Sequence, residues 1–285
     1  MNLLFQKQLQ PTNNILTLST CWYNLKSKFD NKTYVNWIQN LLSIVRTFNL
    51  VIYTDSNSIK QITHLRELTN PNIKIVVKPF ENFYTYKYKK HWIKNHCNSK
   101  LQLHSHIDWR LNMLWNEKVF FVNETIKNKY FDTLYHGWCD IGYFRNRHND
   151  LHTRQLLYWP NNTKLNNPLN NYIHYGCVQT NKTIYKRQQN EIKMHYSHKL
   201  TTQPMHQNED SCFAGGFFFL RRDLINSYVN IYDEKIRYYF ENHYIIKDDQ
   251  TIINDIIFTN PQLFYTHIEN NPNYDNWFMF QRLLC

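Results

Sequence analysis

Asp140 is the residue whose type and position most readily suggest chemistry. It stands in the segment Trp-Cys-Asp-Ile-Gly (138–142), which predicts a carboxylate at the end of a buried strand. A carboxylate there can hold Mg²⁺ or Mn²⁺, because these cations prefer oxygen ligands and bridge phosphate oxygens. An aspartate can also simply end a strand through turn hydrogen bonds, and so short a pattern does not separate the two roles.

The second acidic position is the pair Asp248 and Asp249, which opens a helical pattern. Carboxylates are favoured there by the helix dipole, so capping is one interpretation. In the other, these are catalytic residues, and Asp249 acts as general base for an acceptor hydroxyl or holds that hydroxyl in place.

Two further features could belong to the same site. Gly215 and Gly216, followed by Phe217, lie in an apolar strand, where glycines cost stability unless a backbone or a ligand approaches closely. A sugar ring would be such a ligand. His267, at the end of a late strand, is a candidate metal ligand, although a lone histidine is more often a core or surface residue.

Several binding signatures are absent from the sequence. Neither GxGxxG nor GxxxxGK[ST] occurs, so a Rossmann dehydrogenase and a phosphate-loop NTPase are not indicated. The six cysteines form no CxxC pair and are expected to be reduced thiols. With 16% aromatic and 19% charged residues, the chain is predicted to fold rather than to be disordered.

The net charge of +11 favours anionic partners, and the densest basic segment runs from Tyr84 to Lys100. Its lysines interleave with aromatic rings, which suits a nucleic-acid groove or an anionic membrane surface. A solvated helix face is the plainer interpretation. The first residues lack the apolar core of a signal peptide, and no apolar run is long enough to cross a bilayer, so we expect a cytoplasmic protein.

Alternating strand and helix patterns indicate what would position these residues. Strands are predicted over 15–19, 50–53 and 73–77, separated by helical patterns over 34–48 and 59–68. A helical pattern over 111–126 leads into a strand over 133–141. This alternation predicts a mostly parallel sheet wound by right-handed crossovers, whose ligands collect beyond the carboxyl ends of the strands.

The second half of the chain reads differently. Residues 146–210 have few apolar runs, which predicts a loop-dominated insertion around one or two short strands such as 172–179. A strand over 211–220, helices over about 223–239 and 249–258, and a strand over 263–267 follow. Because there is neither a linker nor a repeat, we predict one α/β domain over residues 1–285.

Four short blocks follow one another in a fixed order. They are Trp115-Asn116-Glu117-Lys118, Trp138-Cys139-Asp140-Ile141-Gly142-Tyr143-Phe144-Arg145, Gly215-Gly216-Phe217-Phe218 and Asp248-Asp249-Gln250-Thr251. In this order and spacing they resemble the HtrL/YibB-like family of glycosyltransferases. With the early strand and the segment Val51 to Asp55, the likeness extends over most of residues 15 to 280.

The resemblance implies a GT-A-type fold, a Rossmann-like sandwich with a nucleotide-sugar donor at the carboxyl edge of its sheet. The nucleotide-binding part would cover about 12–145 and the acceptor-side part about 146–285. In that fold an Asp-x-Asp motif usually holds Mn²⁺ or Mg²⁺ together with the diphosphate. Here the triplet is Asp140-Ile141-Gly142, so a metal would need a further ligand such as His267 or Asp249.

The same resemblance implies roles for the remaining site residues. Thr20, Tyr23 and Asp55 would line the nucleoside pocket. Lys118 and Arg145 would meet the diphosphate, since fixed cations stabilise a leaving group as charge develops on it. Trp138 and Gly142 would complete the donor side, with Gly215, Gly216 and Phe217 on the acceptor side.

The expected function is transfer of a sugar from a nucleotide diphosphate donor, a UDP-sugar, to a hydroxyl of a glycan or another acceptor, with assistance from Mn²⁺ or Mg²⁺. The alternative is a non-catalytic protein that binds a glycan, or binds a polyanion through the segment from Tyr84 to Lys100. Peripheral membrane contact through Lys87 to Lys100 is compatible with either function. Nucleic acid is the less expected partner.

Overall fold

The computed structural model of the chain describes residues 14–101, 103–166, 171–200, 202–205 and 211–285. Seven strands lie within them: β1 (Leu16–Trp22), β2 (Asn49–Thr54), β3 (Ile73–Val77), β4 (Tyr135–Cys139), β5 (Ile173–Cys177), β6 (Phe213–Arg221) and β7 (Phe264–Ile268). Residues 1–13 lie outside the described residues. The expectation about export rests on this segment, and so does the predicted start of the nucleotide-binding part at about residue 12.

The seven strands form one sheet in the order β3-β2-β1-β4-β6-β5-β7. β1 pairs in parallel with β2 and with β4, and β2 pairs in parallel with β3. β6 runs antiparallel to its neighbours β4 and β5, while β5 pairs in parallel with β7. Within the described residues, every strand except β6 therefore runs in one direction. The prediction of a mostly parallel sheet is confirmed.

Helices flank the sheet. They are α1 (Asn31–Ser43), α2 (Lys89–His96), α3 (Leu103–His106), α4 (Trp109–Trp115), α5 (Lys118–Lys127), α6 (Asn162–Leu165), α7 (Lys182–Tyr196), α8 (Ile225–Glu241), α9 (Asp249–Thr259) and α10 (Phe280–Leu283). β1 shows how the core is divided, since Cys21 belongs to one buried apolar cluster and Leu18 to another. Alternate side chains of a strand point to opposite faces, so the sheet separates two apolar layers.

The predicted helix over 59–68 is wrong. The chain forms two short 3₁₀ turns there, Ser58–Gln61 and Arg66–Thr69. The Asp55 carboxylate starts the first turn by accepting from the backbone of Asn57 and Ser58 at 2.9 and 2.6 Å. The apolar residues of this segment recur every three positions, a spacing that fits three residues per turn as well as it fits an α-helix.

The predicted helix over 111–126 is two helices, α4 and α5, with a break at Asn116 and Glu117. The Glu117 carboxylate is fully buried and accepts from the backbone N–H of Tyr84 and from the N–H and hydroxyl of Thr85. These hydrogen bonds hold the basic segment against the break. They also place Lys118 at the first position of a new helix, with its side chain directed into the fold.

The description of residues 146–210 as loop-dominated is wrong in part, because the region contains α7. Asn181 begins this helix by accepting from the backbone of Thr183 and Ile184. Only Gln188, Ile192 and His195 are buried along its length. Only one of these three residues is apolar. The helix therefore lacks the apolar stripe by which an amphipathic helix is recognised in a sequence. The short strand predicted within the region is confirmed as β5.

The other predicted elements are confirmed, with ends shifted by a few residues. The strands over 15–19, 50–53, 73–77, 133–141, 211–220 and 263–267 correspond to β1, β2, β3, β4, β6 and β7, and the helical patterns over 34–48, 223–239 and 249–258 to α1, α8 and α9. Among the described residues, none of the helices combines the length and the apolar character that crossing a bilayer requires.

The basic segment folds as a 3₁₀ turn, Tyr84–Tyr88, followed by α2. Its lysines are exposed, whereas Trp92 is fully buried and its indole N–H donates to the carbonyl of Thr85. The Tyr88 hydroxyl donates to Asp233, and Tyr84 stacks on Phe120. Because these rings are engaged with the protein, they form no free platform for bases, and the interpretation as a solvated helix face is favoured.

Gly137 in β4 provides a test of this sheet. A Cβ there would lie under 3.0 Å from the backbone carbonyl of Phe218, which the β4–β6 pairing holds in place. We expect Gly137→Ala to lower the free energy of unfolding by about 1–3 kcal/mol or more, the usual cost of overpacking. Urea denaturation measures it. Gly176→Ala in β5 is the control, because its Cβ would meet only the flexible side chain of Met279, at 3.2 Å. Equal losses in both variants would contradict the pairing of β4 with β6.

Candidate active site

A buried ammonium group joins two of the predicted carboxylates. The Nζ atom of Lys118 lies 3.0 Å from Oδ1 of Asp140 and 2.8 Å from Oδ2 of Asp249, and it donates to the carbonyl of Gly215 at 2.8 Å. The ammonium group thus has two carboxylates as counter-charges and one backbone carbonyl as hydrogen-bond acceptor. We call Lys118, Asp140 and Asp249 the charged cluster.

The sheet brings these residues together from distant parts of the chain. Asp140 directly follows β4, and its backbone N–H donates to the carbonyl of Gly216 in β6 at 2.8 Å. Lys118 begins α5 and Asp249 begins α9, and both helices pack against the sheet. The charged cluster therefore lies at the carboxyl end of β4, where ligands of such sheets collect.

Burial and charge set the protonation of the charged cluster. The side chains of Lys118 and Asp249 are 7% and 6% exposed, and that of Asp140 is 40% exposed. Burial raises the pKa of Asp249 to about 6, against the opposing effect of the Lys118 charge. Burial alone would lower the pKa of Lys118, but the charges of Asp140 and Asp249 raise it above its ordinary value. At neutral pH, Lys118 is charged and Asp249 is mostly ionised.

Of the two glycines of β6, Gly215 makes room for a carboxylate, and Gly216 would tolerate a Cβ. A Cβ at Gly215 would lie under 3.0 Å from Oδ2 of Asp249, whereas one at Gly216 would lie 3.4 Å from Oδ2 of Asp140. The Asp249 side chain thus accounts for this glycine without a ligand, while Gly215 also lines the larger cleft described below, so its place on the acceptor side stays a prediction. Phe217 is buried against Phe280, with ring centroids 4.8 Å apart, and lines neither cleft described below.

Two adjoining clefts open beside the charged cluster. The smaller, of about 110 Å³, is lined by Trp22, Tyr23, Ser27 and Trp138 among others, and the larger, of about 450 Å³, by Lys28, Gly215, Gly216, Lys247, Trp277 and Phe278 among others. Six residues line both: Tyr34, Trp115, Lys118, Asp140, Gly142 and Arg145. The charged cluster and Arg145 therefore face a continuous opening. A cavity of about 900 Å³ lies elsewhere, between α7 and α8, and contains none of these residues.

Arg145 presents a second cation to this opening. Its guanidinium lies 4.3 Å from the ring centroid of Trp37 and 5.1 Å from that of Phe278, and its Nε donates to the carbonyl of Gly142. Among the described residues no carboxylate forms an ion pair with it. The stacked rings and the single backbone hydrogen bond fix the guanidinium while leaving its terminal N–H groups for an anionic ligand.

The Trp138 indole holds the partly exposed carboxylate of the cluster. Its Nε1–H donates to Oδ1 of Asp140 at 2.6 Å, the same oxygen that Lys118 contacts. The predicted donor residues Tyr23, Trp138 and Gly142 line the smaller cleft. The structure therefore gathers six of the eight predicted donor-side residues: these three with Lys118, Asp140 and Arg145.

Two predicted donor residues lie outside both clefts. Thr20 is fully buried in β1, on the same face of the strand as Leu18 and Trp22. Asp55 is engaged in the turn after β2 through its hydrogen bonds to Asn57 and Ser58. Thr20 was predicted to follow the first strand but lies within β1, where strand alternation directs its side chain away from the clefts, whereas Asp55 follows β2 as predicted but is engaged in a local turn.

The structure also separates Asp248 from Asp249. Asp248 caps α9, its Oδ1 accepting from the backbone N–H of Thr251 at 3.2 Å, which is the structural role that we considered for this position. Burial raises the pKa of Asp248 as well. Asp249, by contrast, directs its carboxylate to Lys118. Of the pair, the second residue is the one placed for chemistry.

His267 does not join the charged cluster. It lies in β7, at the sheet edge, with β5 and β6 between it and β4. Its Nε2 is 2.9 Å from Nδ1 of His174, and the two line a separate cavity of about 520 Å³. Burial lowers the pKa of His267 to about 4, so the ring is neutral at physiological pH.

The side chains that the structure describes around Asp140 do not fit a divalent cation. Among the described residues, no group of three or more histidine, cysteine, aspartate or glutamate side chains is arranged to hold a metal. Lys118 already lies between the two carboxylates that a metal would bridge. His267, a candidate for the missing ligand, lies on another part of the sheet.

Several cleft residues were not identified from the sequence. Tyr34 was assigned to the apolar face of α1, and Lys28, Lys247 and Trp277 lie in connecting segments without a pattern. The side chain of Trp277 is 40% exposed, which is unusual for a tryptophan and would indicate a binding surface. The sequence alone does not show this exposure.

Comparison with known proteins supports the fold. No protein-family model and no curated protein matches the sequence. The crystal structure of mouse xyloside xylosyltransferase 1, in its apo form, superposes with a TM-score of 0.50 and 11% identity, covering 89% of this chain and 84% of that one. A second solved structure, the galactosyltransferase LgtC in complex with donor and acceptor sugar analogs, has a TM-score of 0.41 and 10% identity, covering 84% and 70%. The predicted GT-A-like fold class is confirmed.

Replacing the buried lysine tests the charge balance of the cluster. In Lys118→Met the Asp249 carboxylate loses its counter-charge, and its pKa rises further above that of the unfolded chain. The folded variant then retains a proton that the unfolded chain releases, so its stability falls as the pH rises. We expect a loss of about 3–5 kcal/mol in the free energy of unfolding at pH 8, and a smaller loss at pH 5, where Asp249 is protonated.

Guanidinium denaturation at the two pH values measures this difference. Lys28→Met is the control, since Lys28 is an exposed lysine on the same cleft and its loss should cost no more than about 0.5 kcal/mol. An equal loss at pH 5 and pH 8 in the Lys118 variant would show that the ion pair with Asp249 is not what stabilises this part of the fold.

Proposed function

We propose that this chain is a glycosyltransferase that moves a sugar from a nucleotide diphosphate donor, a UDP-sugar, to a hydroxyl of a glycan or another acceptor. The observation that carries the proposal is the charged cluster. It places one partly exposed and one buried carboxylate around a fixed cation, at the carboxyl edge of a sheet with a GT-A-like fold. A polar cleft opens directly beside it.

The donor is assigned to the smaller cleft and to the region where it meets the larger cleft. The aromatic lining of the smaller cleft, which includes Trp22, Tyr23 and Tyr34, offers apolar faces to a nucleobase. The diphosphate then lies against Arg145, which lines both clefts and whose terminal N–H groups form no ion pair among the described residues. Cations fixed in this way stabilise the charge that builds up on the departing nucleoside diphosphate.

The acceptor is assigned to the larger cleft. Trp277 and Phe278 lie at its rim, and aromatic rings of this kind pack against the apolar faces of sugars. Asp249 lines the same cleft and, with its pKa of about 6, is ionised at neutral pH. It is the residue proposed to accept the proton of the acceptor hydroxyl, because a base whose pKa lies near the working pH is both available and effective.

The remaining sequence predictions are kept as part of this proposal. On the four sequence blocks, the chain is proposed as a member of the HtrL/YibB-like family. The proposed division assigns residues 12–145 to nucleotide binding and 146–285 to the acceptor side. Peripheral membrane contact through Lys87 to Lys100 and cytoplasmic localisation stay predictions. The proposed reaction takes no step from Mn²⁺ or Mg²⁺, because the position between the carboxylates is filled by Lys118.

Donor binding is the first test. We expect UDP and UDP-sugars, from a panel of nucleoside diphosphates and their sugars, to raise the melting temperature, because a ligand that binds only the folded chain stabilises it. Arg145→Met should weaken UDP binding about tenfold to a hundredfold, the usual effect of losing a charged hydrogen bond. Thermal unfolding measures the melting temperature, and calorimetric titration measures the dissociation constants.

Arg154→Met is the matched control for Arg145, since Arg154 is an exposed arginine that lines neither cleft. It should bind UDP as the wild type does. If no member of the panel binds the wild-type chain, the proposed function is wrong. Donor binding without hydrolysis or transfer to any acceptor would instead support the alternative of a protein that only holds a glycan.

Asp249→Asn tests the proposed base. An amide cannot accept the proton, so we expect kcat to fall about 10²- to 10⁴-fold with little change in donor affinity. In the wild type, Asp249 must be ionised, so kcat should rise with pH through about 6 and then level off, following its pKa. The variant should lose this rise.

Asp255→Asn is the control on the same helix. Asp255 is also buried and also paired with a lysine, Lys235, at 2.8 Å, but it lies away from the two clefts. This variant is expected to keep its kcat per folded molecule and its dependence on pH. A wild-type pH profile that is flat between pH 5 and pH 8 would remove Asp249 from the role of base.

A further inference from the structure

We infer that the Lys118 ammonium occupies the position of a divalent cation in this site, so that the chain binds its nucleotide donor and transfers sugar without a metal. The inference rests on the proposed function and specifies which positive charges the site uses. Lys118 holds the acidic residues together, and Arg145, at the cleft, contacts the diphosphate.

The oxygens around Lys118 are of the kind that would otherwise bind a metal. They are two carboxylate oxygens and one backbone carbonyl, supplied by Asp140, Asp249 and Gly215. Their distances to Nζ, from 2.8 to 3.0 Å, are hydrogen-bond distances, whereas Mg²⁺ and Ca²⁺ hold oxygens at about 2.0–2.6 Å. The oxygens are therefore spaced for an ammonium group, and the cavity between them is filled.

A metal could not enter without a large cost in charge. If Lys118 stayed in place, the metal would bring two further positive charges beside a buried ammonium. If Lys118 moved out, its apolar stem and its charge would leave a position that is 95% buried, since only 5% of the residue is exposed. The ion pairs with Asp140 and Asp249 favour the charged lysine where it lies, as its raised pKa also indicates.

The cleft supplies positive charge without a metal. Its described lining includes four cations and three carboxylates, which are Lys28, Lys118, Arg145 and Lys247 against Asp140, Asp248 and Asp249. The carboxylates of Asp140 and Asp249 are neutralised in part by Lys118, and Asp248 is engaged in capping α9. Arg145 and the exposed lysines are thus the charges that an incoming diphosphate meets.

Calorimetric titration of the full chain with UDP, in a chelator and then in excess Mn²⁺, tests the inference. We expect the two dissociation constants to agree within about threefold. A gain of about tenfold or more with Mn²⁺, or binding that requires Mn²⁺, would overturn the inference and leave the proposed function intact. Absence of binding in both conditions would overturn the proposed function and the inference with it.

A second measurement uses Mn²⁺ alone, without nucleotide. Electron paramagnetic resonance of Mn²⁺ should show no tight site in the wild type, because Lys118 fills it. Lys118→Ala opens the space between Asp140 and Asp249, so this variant should gain a Mn²⁺ site and a rise in melting temperature when Mn²⁺ is added.

Lys235→Ala is the matched control, because it removes a partly buried lysine, with a side chain 12% exposed, that is paired with the single carboxylate of Asp255. It should gain no Mn²⁺ site. A tight Mn²⁺ site in the wild type would overturn the inference, and this result does not depend on whether either variant folds. A folded Lys118→Ala variant that binds no more Mn²⁺ than Lys235→Ala would show that the oxygens are not arranged as a cation site, which would equally overturn it.

Discussion

The arrangement of the site depends on one buried positive charge shared by two carboxylates. A buried ammonium group needs opposite charge or hydrogen-bond acceptors around it, and Lys118 forms ion pairs with Asp140 and Asp249 and donates to the carbonyl of Gly215. Those partners come from a strand end, a helix start and the neighbouring strand. The lysine can be satisfied only when α5, β4, β6 and α9 are all in place, so the site forms with the fold.

The surrounding residues follow from this requirement. Gly215 lacks a side chain because the Asp249 carboxylate lies against it, and Trp138 donates to Asp140 so that this carboxylate is held at the cleft. Glu117 interrupts the helical stretch by binding the backbone of the basic segment, and Lys118 thereby begins a helix that is directed into the sheet. Glu117 thus connects the start of the basic segment, in the turn before α2, to the helix that carries the buried cation.

The predictions made from sequence were correct for features that depend on local pattern, and they failed for features that depend on contacts between distant parts of the chain. Asp140 and Asp249 were identified as candidates because their positions at a strand end and a helix start are visible in the chain. Thr20 and Asp55 were predicted to line the nucleoside pocket, yet strand alternation buries the first and a turn engages the second. His267 was proposed as a metal ligand before the sheet order was known, and that order separates it from Asp140 by two intervening strands.

The sequence by itself determined the alternation of strands and helices, because apolar spacing is set by local geometry, and it determined which carboxylates lie at element ends. It missed α7, whose buried face is largely polar, and it misread a three-residue spacing as α-helical. Only the tertiary structure decided that Lys118 lies between Asp140 and Asp249. That contact joins the lysine to residues 22 and 131 positions away along the chain. It depends on the attraction between opposite charges, which is strengthened because Lys118 and Asp249 are buried together, and no local pattern records that burial.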